Sequence, residues 1–83
     1  MNAALTPQQA LGRAVAERRR TLGLTQEELA LRAELHQRWI SNVETGRRNP
    51  SYSSLRRLAR GLTMRTSELV RLAEESDTTS GDG

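Results

Sequence analysis

At 83 residues the chain has room for one small domain with a modest core. It has no cysteine, which excludes disulfides and thiolate metal sites, and its one histidine, His36, excludes a site built from several histidines. No stretch approaches the roughly 18 apolar residues that a membrane-spanning helix needs. The amino terminus also lacks the basic and apolar regions of a secretory signal. We therefore expect an all-α, cytoplasmic protein without a metal or another cofactor.

The charge is distributed unevenly along the chain. All 13 basic residues are arginine, and residues 1–73 combine them with only six acids, for a net charge of +7. The other four acids lie in residues 74–83. A basic body of this size favours a polyanionic partner, although solvated helix faces would give the same balance. Arginine suits bidentate contacts to phosphate and guanine, while its exclusive use also fits a GC-rich coding sequence.

The first helix is predicted over residues 7–21, after a flexible arm over residues 1–5. Thr6 as the N-cap, a proline at the first helical position and Gln9 three residues after the cap are typical of a helix start. An apolar stripe at helical spacing is formed by Leu11, Val15 and Leu22. Arg18 lies on the same stripe, and we expect its head group to reach water.

A second, short helix follows almost at once. Gly23 is suited to end the first helix in the left-handed conformation. Thr25 begins the second, where Thr25 and Glu28 have the spacing of a capping box. The apolar face of this helix consists of Leu29, Ala30 and Ala33. Because two of these three residues are alanines, we expect another helix to approach closely.

The third helix is predicted over residues 37–45, with His36 as a poorer N-cap than serine or aspartate. At 100° per residue its polar side chains share one arc, and Ile40 and Val43 fall opposite, with Trp39 at the edge of the apolar side. The polar arc consists of Gln37, Arg38, Ser41, Asn42 and Thr45. It carries no acid, unlike an ordinary solvated face, and its side chains suit hydrogen bonds to base edges.

Two more helices complete the chain. A basic loop, Arg47-Arg48-Asn49-Pro50, precedes a fourth helix that opens at Ser51. The buried stripe of that helix is predicted to contain Leu55, Leu58, Ala59 and Leu62. A fifth helix follows Thr63-Met64-Arg65 and carries Leu69, Val70, Leu72 and Ala73. Residues 74–83 are acidic and polar, so we expect a disordered tail after a domain that spans residues 6–73.

Three stretches of the chain resemble one known family. They read T-Q-E-E-L-A, then L-H-Q-R-W-I-S-N-V-E-T-G-R-R-N-P-S, then L-R-R-L-A-R-G-L. At these spacings they are similar to the Cro/phage-repressor type of helix-turn-helix protein, also called the xenobiotic-response-element family of bacterial regulators. The resemblance runs from about Leu11 to Leu72. It implies a compact five-helix bundle whose second and third helices form the helix-turn-helix, with the third entering the major groove of DNA.

The resemblance also implies roles by position. Base contacts are implied for Gln37, Arg38, Ser41 and Asn42. Contacts to the DNA backbone are implied for Thr25, Gln26, Trp39, Thr45, Arg47, Arg48 and Asn49. Gln26 can also brace a side chain of the third helix, Trp39 fits the edge of the core equally well, and Ser41 can instead bond the preceding turn of its own helix. Arg19 and Glu44 match an ion pair that ties the first helix to the third.

Three residues depart from the family pattern. Glu34 stands in the turn of the helix-turn-helix, where glycine is common, and Thr63 replaces a glycine after the fourth helix. A non-glycine residue adopts the left-handed conformation only with strain, so both connections are expected to be strained or altered. His36 replaces a small capping residue at the start of the third helix.

These observations predict a sequence-specific transcriptional regulator that binds double-stranded DNA. Because one such domain reads few base pairs, we expect a homodimer on half-sites about 34 Å apart. The apolar residues left for its interface are Leu69, Val70 and Leu72, to which the connection between the fourth and fifth helices can add, although Leu69 and Leu72 fit the core equally well. A restriction–modification controller protein and a stand-alone repressor both fit, and an antitoxin that neutralises a toxin partner is the alternative. No arrangement of acid, base, nucleophile or metal ligands indicates an enzyme.

Overall fold

Five helices make up the part of the chain that the computed structural model describes, residues 5–81. They are Pro7–Thr21 (α1), Gln26–Ala33 (α2), Gln37–Glu44 (α3), Tyr52–Gly61 (α4) and Thr66–Gly81 (α5). No strand is present among these residues. The predicted all-α, five-helix fold is therefore confirmed. No helix in the same residues is long and apolar enough to cross a membrane.

Local side-chain chemistry explains where most helices begin. The hydroxyl oxygens of Thr6 and Thr25 each accept a hydrogen bond from the backbone amide three residues later. The side chains of Gln9 and Glu28 in turn accept from the backbone amides of Thr6 and Thr25, so both helices begin with a capping box, as predicted. Ser51 caps α4 through the amide of Ser54. α3 differs, because His36 makes no side-chain cap bond. The start of α3 must therefore be held by tertiary contacts.

The core lies where the five helices meet. α1 packs against α3 and α5, α2 packs against α3 and α4, and α4 also packs against α5. The largest fully buried side chains are Val15, Leu29, Ile40, Val43, Leu58, Leu62 and Leu69. Burial of each contributes roughly 1.5–3 kcal/mol. Each helix therefore supplies part of one shared core.

Two glycines permit unusually close helix contacts. A Cβ on Gly12 in α1 would lie 2.3 Å from the carbonyl oxygen of Val43 and 2.6 Å from that of Glu44, so the last turn of α3 rests directly on the backbone of α1. A Cβ on Gly61 in α4 would lie 3.2 Å from that of Ala33 in α2. The close approach predicted from the alanines of α2 is thus achieved together with a glycine of α4.

Both residues that replace a family glycine adopt the left-handed conformation. Glu34, at the C-cap of α2, has φ 59° and ψ 46°, and Thr63, after α4, also has φ 59°. The turn of the helix-turn-helix therefore keeps the glycine-type geometry despite its glutamate. The conformation is less favourable for threonine, because its β-branched side chain crowds the backbone.

Glu44 joins α3 to the two helices before it. Its carboxylate accepts from Arg19 Nε at 2.6 Å and from Arg19 Nη2 at 3.0 Å, a bidentate ion pair between α3 and α1. Gln26 Nε2, at the start of α2, donates to the same carboxylate at 2.9 Å. The Arg19 and Glu44 side chains are only 12% and 6% exposed. We call this arrangement of Arg19, Gln26 and Glu44 the Glu44 clamp.

Arg18 lies differently from its expected position. Its guanidinium does not reach freely into water, because Nε donates to the carbonyl of Leu62 at 3.1 Å and Nη2 to that of Thr63 at 3.4 Å. Arg32 Nη1 donates to the carbonyl of Gly61 at 3.2 Å. Helices end in carbonyls without helical partners and carry a partial negative charge there. The two arginines therefore stabilise the C-terminus of α4.

α5 extends beyond the predicted end of the domain at Ala73. Residues 74–77 continue the helix, with Ser76 and Asp77 partly buried. A helix that has already formed is extended at little cost through glutamates without a proline, and disorder of the tail as a whole stays a prediction. The first four residues of the expected arm, 1–4, and the last two residues of the tail, 82–83, lie outside the described residues.

Removal of the Glu44 carboxylate should destabilise the domain. Glu44→Ala leaves Arg19 charged and unpaired in a nearly buried position, and we expect unfolding free energy to fall by about 3–5 kcal/mol. Thermal and urea unfolding followed by circular dichroism measure this. Glu17→Ala is the matched control, because it breaks the Arg13–Glu17 pair, whose side chains are 61% and 57% exposed; it should change stability by less than about 1 kcal/mol. Equal melting of wild type and Glu44→Ala would refute the structural role.

Relief of the strain at Thr63 should stabilise the domain. Thr63→Gly removes a β-branched residue from the left-handed region, which relieves strain in the folded state, while glycine also increases the entropy of the unfolded state. We expect the relief of strain to be larger, so the free energy of unfolding should rise by about 1 kcal/mol. For a domain of this size that corresponds to a melting temperature roughly 4–8 °C higher. Glu34→Gly should gain less, because glutamate is not branched at Cβ. Ser67→Gly, in the first turn of α5, should destabilise. A lower melting temperature for Thr63→Gly would contradict the strain assignment.

Candidate nucleic-acid interface

α3 stands at the surface with its apolar side turned inward. Ile40 and Val43 are fully buried and anchor the helix in the core. The other side presents the predicted base-contacting residues: Gln37 and Arg38 are exposed in the first turn, while Ser41 and Asn42 are partly buried in the second. The structure therefore places all four on the outward half of one helix.

The first turn of α3 borders an open concavity. Three of its lining residues are predicted base-contacting residues, Gln37, Arg38 and Asn42. The others are His36, Trp39 and Arg48. The structure thus brings three of the four predicted base-contacting residues together with one arginine of the basic loop. Trp39 is only partly exposed and packs against the core, so it sits at the boundary that both sequence interpretations allowed.

His36 also lines this concavity, whereas the sequence interpretation treated it only as a poor cap. Its side chain is exposed, lines the same concavity and makes no cap bond. A ring that does not serve the helix is available for an outside partner. The signal in the sequence was the use of a large, polar ring at a position where a small hydroxyl would have stabilised the helix.

The C-terminal end of α3 orders the basic loop. The backbone amides of Arg47 and Arg48 donate to the carbonyl of Asn42 at 2.8 and 3.2 Å. The Thr45 hydroxyl lies 3.1 Å from the carbonyl of Ser41 and 3.2 Å from that of Asn42, to which it donates. The two arginine side chains are exposed beside α3. The hydroxyl of Thr45, in contrast, serves the end of its own helix.

The start of α2 offers backbone amides next to α3. Thr25 accepts from the amide of Glu28 through its oxygen, which leaves its hydroxyl hydrogen directed elsewhere. Gln26 belongs to the Glu44 clamp, so it braces the last residue of α3 and not a base-facing side chain. The clamp holds the start of α2 and the end of α3 together, and the hydrogen bonds from Arg19 to Glu44 raise the pKa of the arginine above its usual value.

Some predicted site residues lie away from α3. Asn49 is exposed, but it lines a separate apolar groove between α1, α4 and α5. Val70 lines the same groove and is partly buried. Leu69 is 0% exposed, which corrects its assignment to a dimer interface, because its side chain fills the core of its own chain. Leu72 is partly buried against that core.

No group of three or more histidine, cysteine or carboxylate side chains that could hold a metal ion occurs among residues 5–81. What the surface of α3 offers instead is hydrogen-bond donors and acceptors with positive charge beside them. Glu44, the one acid of α3, is folded into its clamp. This arrangement suits the edges of bases flanked by phosphates.

Comparison with known proteins identifies the same architecture. A family model described as a helix-turn-helix domain matches residues 10–73. The HTH-type transcriptional regulator y4dJ of Sinorhizobium fredii is 41% identical over 66 residues, which cover 80% of this chain and 86% of that protein. The crystal structure of the restriction-modification controller protein C.AhdI from Aeromonas hydrophila is 34% identical, with a TM-score of 0.73, covering 75% of this chain and 94% of that one.

A further solved structure supports the fold alone. The clp gene regulator ClgR from Corynebacterium glutamicum has a TM-score of 0.87 at 24% identity and covers 95% of this chain and 84% of that chain. The motifs, the described helices and these matches agree. The protein therefore belongs to the helix-turn-helix domain family, as a DNA-binding transcriptional regulator of the Cro/phage-repressor type that its sequence resembles.

Proposed function

We propose that this protein is a sequence-specific transcriptional regulator that inserts α3 into the major groove as a homodimer on a two-fold symmetric operator. One observation carries the proposal: the outward face of α3 is polar, exposed and free of acid, since Glu44 is turned into the Glu44 clamp. A carboxylate on that face would repel phosphates, and it could accept hydrogen bonds from bases but donate none. Because Glu44 points away from that face, the remaining side chains suit contacts to bases.

The side chains of α3 divide by chemistry. Arg38 can donate two parallel hydrogen bonds to O6 and N7 of guanine, and Gln37 and Asn42 have the donor and acceptor that adenine requires. Gln37 and Arg38 are exposed at the N-terminal end of α3, which is the end that approaches base edges in helix-turn-helix complexes. Ser41 and Asn42 lie one turn further along α3 and are partly buried. We therefore assign the main discrimination to the first turn.

Contacts to the DNA backbone come from both sides of α3. Arg47 and Arg48 extend from a loop whose backbone Asn42 holds in place. On the other side, the amides at the start of α2 and the hydroxyl of Thr25 can donate to a phosphate. Neutralisation of about four to six phosphates per chain would make affinity fall steeply with salt. Thr45 is the weakest of the proposed backbone contacts, since its hydroxyl already donates within the protein.

A controller-type role in a restriction–modification system is favoured by the 34% identity with C.AhdI. The antitoxin alternative receives no support from the family match or from these relatives.

The second copy is proposed to cover the apolar groove between α1, α4 and α5. With Leu69 assigned to the core, Val70 remains from the predicted interface, and the groove adds Leu11, Leu55 and Ala73. These residues are partly buried rather than fully enclosed within one chain. Association would remove their remaining apolar surface from water.

Selection of bound duplexes from a random pool tests sequence recognition. A two-fold symmetric consensus is expected. Arg38→Ala should weaken binding to the consensus by roughly 1–3 kcal/mol per site and relax the preference at one base pair. Arg48→Gln is the matched comparison: it should weaken binding to all sequences alike and reduce the steepness of the salt dependence by about one counterion per chain. Salt-sensitive binding without any consensus would refute the proposed readout.

A charge placed in the groove should abolish the dimer. Val70→Asp puts a carboxylate into the proposed interface, so we expect a monomer at concentrations where the wild type is dimeric, and weaker operator binding. Sedimentation equilibrium measures the association. Arg71→Asp, at the neighbouring exposed position of α5, is the control and should leave the dimer intact. A Val70→Asp variant that still dimerises would place the interface elsewhere without affecting the assignment of α3.

A further inference from the structure

A second concentration of arginine lies away from α3. Arg56, Arg57, Arg60 and Arg65 line an open concavity of about 800 Å³ between α4 and the start of α5. All four are exposed. We call this surface the α4 concavity. None of its lining residues borders the concavity at α3.

The α4 concavity begins near the basic loop, at Ser53, and extends along α4 to its C-terminal end. α4 begins two residues after that loop and is 10 residues long, so its C-terminal end is about 15 Å from its beginning. Arg60 is in the last turn of α4 and Arg65 follows α4. Arg60 and Arg65 therefore lie at the end of α4 that is farther from the basic loop.

One carboxylate already occupies the edge of this surface. Glu34 Oε1 lies 4.0 Å from Arg60 Nη2, with both side chains about 70% exposed, at 73% and 68%. A pair so long and exposed is weak, so an outside carboxylate can compete for Arg60. Even with Glu34 included, the five charged side chains of the α4 concavity sum to +3 at neutral pH. The surface thus carries a net positive charge, and one carboxylate already lies beside Arg60.

Met64 favours an acidic peptide over the other polyanions that the arginines could bind. It lines the α4 concavity and packs against the core, partly exposed. Its flexible thioether side chain offers an apolar contact that adapts to a partner. A phosphate chain has no apolar group to place there, and a DNA backbone has only its deoxyribose carbons, whereas an acidic peptide can place a whole apolar side chain there between its carboxylates. Arginine around an apolar contact is also the usual composition of a protein–protein interface.

We propose that the α4 concavity docks an acidic segment of a partner protein, with an apolar side chain on Met64 and carboxylates on Arg57, Arg60 and their neighbours. The partner would be recognised from a face that does not include α3. This inference is independent of the proposed operator and dimer.

The test uses the full chain labelled with ¹⁵N and a synthetic peptide, acetyl-Glu-Glu-Leu-Glu-Glu-amide. Titration followed by amide chemical shifts should perturb residues around Met64 and Arg60 and leave those of α3 unchanged. Arg57→Gln/Arg60→Gln should weaken binding about tenfold, as expected for the loss of two exposed charge contacts. Arg20→Gln/Arg71→Gln makes the same change of net charge at exposed positions outside the α4 concavity and should bind like wild type. The spectra themselves report whether each variant is folded.

Four results would overturn the proposal. One is equal binding of the peptide in which serine replaces leucine, which would remove the role of Met64. The second is displacement of the peptide by tripolyphosphate at lower concentration, which would indicate a phosphate site. The third is loss of affinity for a random-sequence duplex in Arg57→Gln/Arg60→Gln as large as in Arg48→Gln, which would make this surface part of the DNA interface. The last is no shift around Met64 at all.

Discussion

The position of the recognition helix depends on one carboxylate. α3 has eight residues, fewer than an isolated helix needs to be stable in water, and its N-cap residue makes no side-chain bond. Its orientation must therefore come from neighbouring elements. Ile40 and Val43 supply the apolar anchor, and Glu44 accepts hydrogen bonds from α1 and α2. The same contacts keep the Glu44 carboxylate away from the outer face of α3. The interaction that attaches the helix therefore also leaves that face without a negative charge.

Much of the fold follows from interactions between residues close in sequence. The two capping boxes, the left-handed glycine after α1 and the helical spacing of apolar residues are local features, and the helices they predict are present. The pairing of Arg19 with Glu44 is different, because 25 residues separate the partners and no local pattern connects them. It was expected only through the family resemblance. Long-range polar contacts of this kind depend on the packing of whole helices.

The features that sequence did not predict share a cause. Apolar residues on α5 face both the core and the groove, and only the packing of α1 and α4 against α5 decides that Leu69 is fully buried while Val70 is partly exposed. Likewise, the free carbonyls at the end of α4 attract the guanidinium of Arg18 only once α1 lies beside them. In each case the residue type was informative, but its partner was set by tertiary packing.

The contact at Gly12 has a consequence for how such a protein can diversify. Since the carbonyls of the last turn of α3 rest on a residue without a side chain, the distance between the end of α3 and α1 is limited by backbone atoms. Outward residues such as Gln37 and Arg38 take no part in that seating. Exposed side chains of α3 can therefore be exchanged without moving the helix, whereas a single methyl group at position 12 would displace α3 together with every predicted base-contacting residue on it.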